Sequence, residues 1–246
     1  MALYLPDHNA LFVHLPKTGG SFVSHVLRRE LDVRVERTGY KHSHKDLVGP
    51  LRLKHRPFTF SFVRHPLTWY RSYWEMAMRR SARKRWHYYQ RNTLWHPNWE
   101  IDPHLGSDDF ATWINNVSQR GDYLYDTYQL YTGRDTHDEI DFVGSQERLL
   151  EDLCAALDII KVPYRRARLE SLERVNPSPA PASDSYDDAL RALVLAAEQR
   201  CLQAYGYGPD PSTPRTQPAA TGSFTADDRR VGRRGPLRLA AAARRG

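Results

Sequence analysis

The sequence is poor in cysteine. Its 246 residues contain two, Cys154 and Cys201, too few for a disulfide framework, which points to a reducing compartment. It has no apolar run of the roughly 18 residues that a membrane-spanning helix needs. No basic stretch followed by an apolar one opens the chain, so the expectation is a soluble, cytoplasmic protein without a membrane span. The pattern GxxxxGK[ST] is missing too, which excludes the nucleotide triphosphatase loop. Nor is a metal-ligand set evident. His42 and His44 supply two ligands, with no third at a fixed spacing, so no metal is expected.

Charge is unbalanced in one direction, with 36 Lys and Arg against 29 Asp and Glu, a net of +7. Its location matters more than its size. From residue 210 onward there are eight Arg and three Asp, a net of +5, which leaves +2 for everything before. A nearly balanced domain with a local cationic pocket suits a small anionic ligand better than a duplex, so no nucleic-acid partner is expected. Beyond Pro209 the composition turns to Pro, Thr, Ser, Ala and Arg without apolar period. Residues 1–209 are therefore expected to form one domain, and 210–246 a disordered basic tail.

What the chain does have is alternation of strands and helices, which predicts an α/β fold, a central parallel sheet with helices on both faces. After a turn-like lead-in over 1–9, Ala10 to Leu15 reads as a buried strand. Pro16-Lys17-Thr18-Gly19-Gly20-Ser21 breaks it, and Phe22, Val23, Val26 and Leu27 then recur at helical spacing. A strand, a glycine turn and a helix N-terminus direct several backbone N–H groups to one point, where Lys17 adds a full positive charge. Such a place suits a phosphate or sulfate, although Gly-Gly before a helix also serves as a plain tight turn.

Residues 32–36 alternate as a short strand, and 46–53 read as one or two helical turns. Pro57 to Val63 is the second clear strand, closed by Arg64-His65-Pro66, with Pro66 suited to the first position of a helix running to about Arg80. Residues 81–106 mix Trp86, Tyr88, Tyr89, Trp95 and Trp99 with bases. That mixture fits stacking on a sugar, stacking on a nucleic acid strand, or packing of a long loop. Ser107-Asp108-Asp109 caps a helix through about Val117, and another follows at 122–131. Ile140 to Gly144 reads as a parallel strand, Ser145 caps a helix to Leu157, 171–185 is a Pro-rich connector, and one helix spans Tyr186 to Tyr205.

The loop PKTGGS resembles the 5′-phosphosulfate loop of sulfotransferases that use 3′-phosphoadenosine 5′-phosphosulfate (PAPS), in the form found in carbohydrate and heparan-type sulfotransferases and their bacterial relatives. FSFVRHPLTWYRSYW resembles their 3′-phosphate motif, with Arg64 before a proline-started helix and Ser72 eight residues on. DFVGSQERLLEDL is similar to a later strand–helix of the family, and the final YGYG echoes its closing segment more weakly. The resemblance implies a P-loop-like sulfotransferase fold and transfer of a sulfuryl group from PAPS, leaving 3′-phosphoadenosine 5′-phosphate (PAP), to a hydroxyl of a carbohydrate or small-metabolite acceptor. By that resemblance the N–H groups of Thr18, Gly19, Gly20, Ser21 and Phe22 cradle the phosphosulfate, Lys17 stabilises the leaving oxygen, and Arg64 and Ser72 hold the 3′-phosphate.

An acceptor hydroxyl must also lose a proton, for which histidine is the usual base near neutral pH. The stretch Tyr40-Lys41-His42-Ser43-His44 is similar to the HxH of uronyl 2-O-sulfotransferases, which implies His44, whereas a KHxS-like match implies His42. His55 and His65 rank below them. A pair of exposed loop histidines is the plain alternative. Two other functions stay open at this point: a kinase-like phosphoryl transferase, and a non-catalytic nucleotide- or polyanion-binding module.

Overall fold

The computed structural model of the chain describes residues 2–38, 56–78, 104–132, 140–173, 186–213 and 215. Five strands form one mixed sheet: β1 (Ala2–Leu5), β2 (Ala10–Phe12), β3 (Glu36–Thr38), β4 (Phe58–Val63) and β5 (Phe142–Ser145), in the order β3-β1-β2-β4-β5. The helices are α1 (Gly20–His25, continued by a π turn over Val26–Glu30), α2 (Pro66–Met78), α3 (Phe110–Ser118), α4 (Tyr123–Thr132), α5 (Leu149–Ile159), α6 (Arg166–Glu170), α7 (Asp188–Ala197) and α8 (Gln199–Tyr205). The fold is α/β as expected. The expected turns over 46–53, most of the aromatic stretch 81–106 and most of the connector 171–185 lie outside the described residues.

The sheet departs from the all-parallel expectation. β2, β4 and β5 are parallel, but β1 runs antiparallel to both of its neighbours. The sequence does not reveal β1 because its four residues are buried on both faces and so show no alternation. Pro6–His8 winds as a 3-10 turn and Asn9, at φ 45°, reverses the chain into β2. Tyr4 closes this hairpin by donating its hydroxyl to Asn9 Oδ1 at 3.2 Å.

Both faces of the sheet are covered. Leu3, Leu5, Phe12, Phe58, Phe60 and Phe62 pack on one side against α1 and α5, which contribute Phe22, Val23, Leu153 and Leu157. Tyr4, Leu11, Val13 and Val63 point the other way, toward Trp69 and Tyr70 of α2, Trp113 of α3, Tyr128 of α4 and Val194 of α7. The two polar residues inside β4 are satisfied locally. Ser61 Oγ donates to the Val13 carbonyl at 2.7 Å and Thr59 Oγ1 to the Pro57 carbonyl at 3.2 Å.

Helix starts follow their capping residues. Asp109 accepts the Thr112 N–H at 2.7 Å, and Asp187 the Leu190 N–H at 2.7 Å. The single helix expected over 186–205 is instead two, α7 and α8, parted at Glu198, whose carboxylate turns into the core. Residues 210–213 and Arg215, placed by composition in the tail, are among the described residues. Arg215 is buried and donates to the Val143 and Gly144 carbonyls at 3.2 and 3.4 Å, so the packed chain includes it.

Candidate functional site

The sheet order puts between β2 and β4 the topological switch point at which open α/β sheets form a binding crevice. From β2 the chain passes through α1 on one face to β3 on the left, whereas from β4 it passes through α2 on the other face toward β5 on the right. The connections diverge at the carboxyl ends of these two parallel neighbours, which is where open α/β sheets bind ligands. The loop after β2 carries Lys17, and the turn after β4 carries Arg64.

The first loop is held by its carbonyls. Leu15 accepts the Thr18 hydroxyl at 3.1 Å, Pro16 accepts the Trp69 indole N–H at 2.9 Å, and Lys17 accepts Arg64 Nη1 at 3.4 Å. Trp69 is itself fixed, fully buried and stacked on Tyr73 with ring centroids 4.7 Å apart. Two left-handed residues curl the loop: Lys17 at φ 65° and Gly19 at φ 82°. A lysine in that conformation carries strain on the order of 1 kcal/mol, a cost that tends to persist where the backbone serves a site. At Gly19 the left-handed backbone favours glycine, and a Cβ, 2.6 Å from Leu149 Cδ2, would also make that side chain shift. At Gly20 a Cβ would run into the buried His14 ring, so that close approach requires glycine.

Gly20 and Ser21 open α1, where no earlier carbonyl of the helix can accept their N–H groups. Phe22, expected among the cradle donors, gives its N–H to the Gly19 carbonyl at 2.9 Å. The donors gathered here are thus Thr18, Gly19, Gly20 and Ser21.

Arg64 lies at the end of β4, half-buried, its Nε donating to Thr68 Oγ1 at 3.0 Å. Burial lowers its pKa from the ordinary guanidinium value, and the field of nearby Glu147 opposes that shift. Among the described residues no carboxylate lies within ion-pair distance of it. A guanidinium stays protonated in a protein, so this cation is partly dehydrated while its hydrogen bonds go to the Thr68 hydroxyl and the Lys17 carbonyl.

The turn that carries Arg64 is clamped from three elements. Tyr128 of α4 accepts the Arg64 N–H and donates to the Arg64 carbonyl, both at 3.0 Å. Glu147, just before α5, accepts the His65 N–H at 2.9 Å with one oxygen and the Tyr207 hydroxyl at 3.0 Å with the other. His65 is fully buried, and its Nδ1 accepts the Leu67 N–H at 3.2 Å, which leaves Nε2–H to donate to the Gly208 carbonyl at 2.9 Å. Burial pushes its pKa down from 6.5 to about 4. With both nitrogens engaged, His65 holds structure and is not available as a base.

Of the residues singled out by sequence, Lys17, Thr18, Gly19, Gly20, Ser21 and Arg64 meet at this crevice. Ser72 is buried within α2, about 9 Å along the helix axis from Pro66. His42, His44 and His55 lie outside the described residues. Sequence reasoning assigned no role to Trp69, Tyr128, Glu147 or Tyr207. Their partners lie 53 to 82 positions away in the chain, where no local pattern can register them.

Comparison with protein families, with curated proteins and with solved structures returns no match in any of the three.

Proposed function

We propose that the chain is a PAPS-dependent sulfotransferase acting on a hydroxyl-bearing, sugar-containing acceptor. The observation that carries this reading is Arg64: a half-buried guanidinium without an ion-pair carboxylate among the described residues, 3.4 Å from the carbonyl of Lys17. Two cationic residues at one crevice, beside a glycine turn rich in N–H donors, ask for a ligand with more than one anionic group. A nucleotide with phosphate at both 3′ and 5′ positions meets that demand, and it is the ligand to which both loops point by resemblance.

In this reading the N–H groups of Thr18, Gly19, Gly20 and Ser21 hold the 5′-phosphosulfate and Arg64 the 3′-phosphate, with Ser72 a further candidate for that phosphate. Lys17 stabilises the bridging oxygen as its bond to sulfur breaks and the acceptor oxygen bonds to sulfur. The acceptor's proton passes to a base, with His44 or His42 the candidates. Such transfer depends on alignment and charge stabilisation, without a covalent enzyme intermediate and without a metal.

Calorimetric titration of Arg64→Ala and Lys17→Ala with PAP separates the two roles. Arg64→Ala weakens binding by about 10- to 100-fold, the worth of a charge-assisted hydrogen bond. Lys17→Ala binds PAP with a far smaller loss. Unchanged binding in Arg64→Ala would remove this residue from the donor site.

A further inference from the structure

Beyond the end of β4 the sheet ladder gives out, and a side chain replaces it. Val63 is the last β4 residue paired to β5, opposite Ser145, and its carbonyl still accepts the Gln146 N–H at 2.8 Å. The next residue, Arg64, has both of its backbone polar groups taken by one phenol. Tyr128 accepts from Arg64 N–H and donates to Arg64 C=O, each at 3.0 Å. We propose that Tyr128 is the positioning residue for Arg64, fixing the backbone from which the guanidinium reaches the ligand. The inference rests on the donor-site reading above.

Three features make Tyr128 more than another core aromatic. It is fully buried, and burial pushes its pKa well above 10.0, so the hydroxyl keeps the proton that it donates to the Arg64 carbonyl. Its ring is set edge-on to Tyr205 of α8 with centroids 5.5 Å apart. Its helix is anchored independently, since Glu198 accepts the Leu124 N–H at 2.8 Å and the Tyr125 N–H at 3.3 Å at the start of α4. The hydroxyl is thus held at a fixed place by the rest of the molecule, and Arg64 is held to the hydroxyl. Without it the Arg64 N–H and carbonyl would lose this partner, and the guanidinium would be set only through the hold of Glu147 on His65 and its own bonds to Thr68 and Lys17.

Tyr128→Phe keeps the ring and deletes the hydroxyl alone. Tyr4→Phe is its control, another buried tyrosine on the same face, whose hydroxyl donates to Asn9 in the β1–β2 hairpin. The readout is the ratio of affinities for adenosine 3′,5′-bisphosphate and adenosine 5′-phosphate, which isolates the 3′-phosphate. Wild type favours the bisphosphate, Tyr4→Phe keeps that preference, and Tyr128→Phe loses about tenfold of it. Preference retained in Tyr128→Phe, or lost equally in Tyr4→Phe, would overturn the inference while leaving the donor site standing. A wild type that binds neither nucleotide would overturn both readings together. If Tyr128→Phe fails to fold, amide exchange in the wild-type chain decides. A strongly protected Arg64 N–H is expected, and one exchanging as fast as an exposed loop amide would overturn the assignment.

Discussion

Protonating His65 would cost the bond that its Nδ1 accepts from Leu67 and would bury a charge beside the Gly208 carbonyl. Its folded pKa of about 4 against 6.5 means that the unfolded chain binds more protons between those values. Stability from this residue is therefore complete above pH 6.5 and is lost as pH falls toward 4, on the order of 3 kcal/mol. An NMR titration of the folded chain should find the His65 ring resonance unmoved down to about pH 4; a midpoint near 6.5 would contradict the described environment. Lys17 belongs to the same scale but to a different task. Its left-handed backbone and the bond from Arg64 to its carbonyl fix where the chain turns. Lys17→Ala should lower turnover about 100- to 1,000-fold with donor binding little changed. A steady-state assay returning wild-type turnover would remove it from the chemistry.

Among the elements, the break between α7 and α8 is the one that periodicity concealed. Leu190, Leu193, Val194, Ala197 and Leu202 follow helical spacing right through it, so residues 186–205 read as one helix. Glu198 decides otherwise. It sits fully buried at the break, caps the start of α4 and accepts the Tyr70 hydroxyl at 2.5 Å. Burial raises its pKa from 4.5 to about 7. The folded chain thus binds the extra proton, and this contribution is present below pH 4.5 and lost as pH rises through 7. Glu198→Gln does not titrate, and its one oxygen can still accept from Tyr70 and Leu124, at the cost of the longer bond from Tyr125. Relative to wild type, its stability should improve between pH 5 and pH 8 by up to about 3 kcal/mol, read from urea unfolding at the two pH values. Parallel curves would show that the wild-type carboxyl is ionised throughout. By contrast, α2 and α3 were legible in outline. A proline and an aspartate mark their starts, and signals of that kind are local.

Seen whole, the molecule is a five-stranded mixed sheet whose chain leaves β2 and β4 in opposite directions, and the crevice so made collects the cationic loops. The strands β2, β4 and β5 could be read from sequence because each is an apolar run bounded by a break. β1 could not, since four buried residues carry no period. The Lys17 loop and Arg64 were legible as short motifs, and so was their shared edge, because parallel strands of one sheet end on the same side. The clamp of Tyr128, Glu147, His65 and Tyr207 was not, because each of its bonds joins distant parts of the chain. The same long-range bonds tie the loops into the core that gives the fold its stability. Wild-type pH dependence combines both titrations described above, with opposite signs over roughly pH 4.5 to 6.5. Stability is thus expected to vary less with pH in that interval than either residue alone implies.

The claim on which the functional account depends is that one crevice grips both ends of an adenosine bisphosphate. Calorimetric titration of the purified chain with adenosine 3′,5′-bisphosphate, and separately with ATP and magnesium, tests it most directly. The account predicts one site per chain for the bisphosphate, with binding at least about tenfold tighter than for ATP, the worth of one charged contact. Equal or tighter binding of ATP, or no heat with either nucleotide, would contradict it.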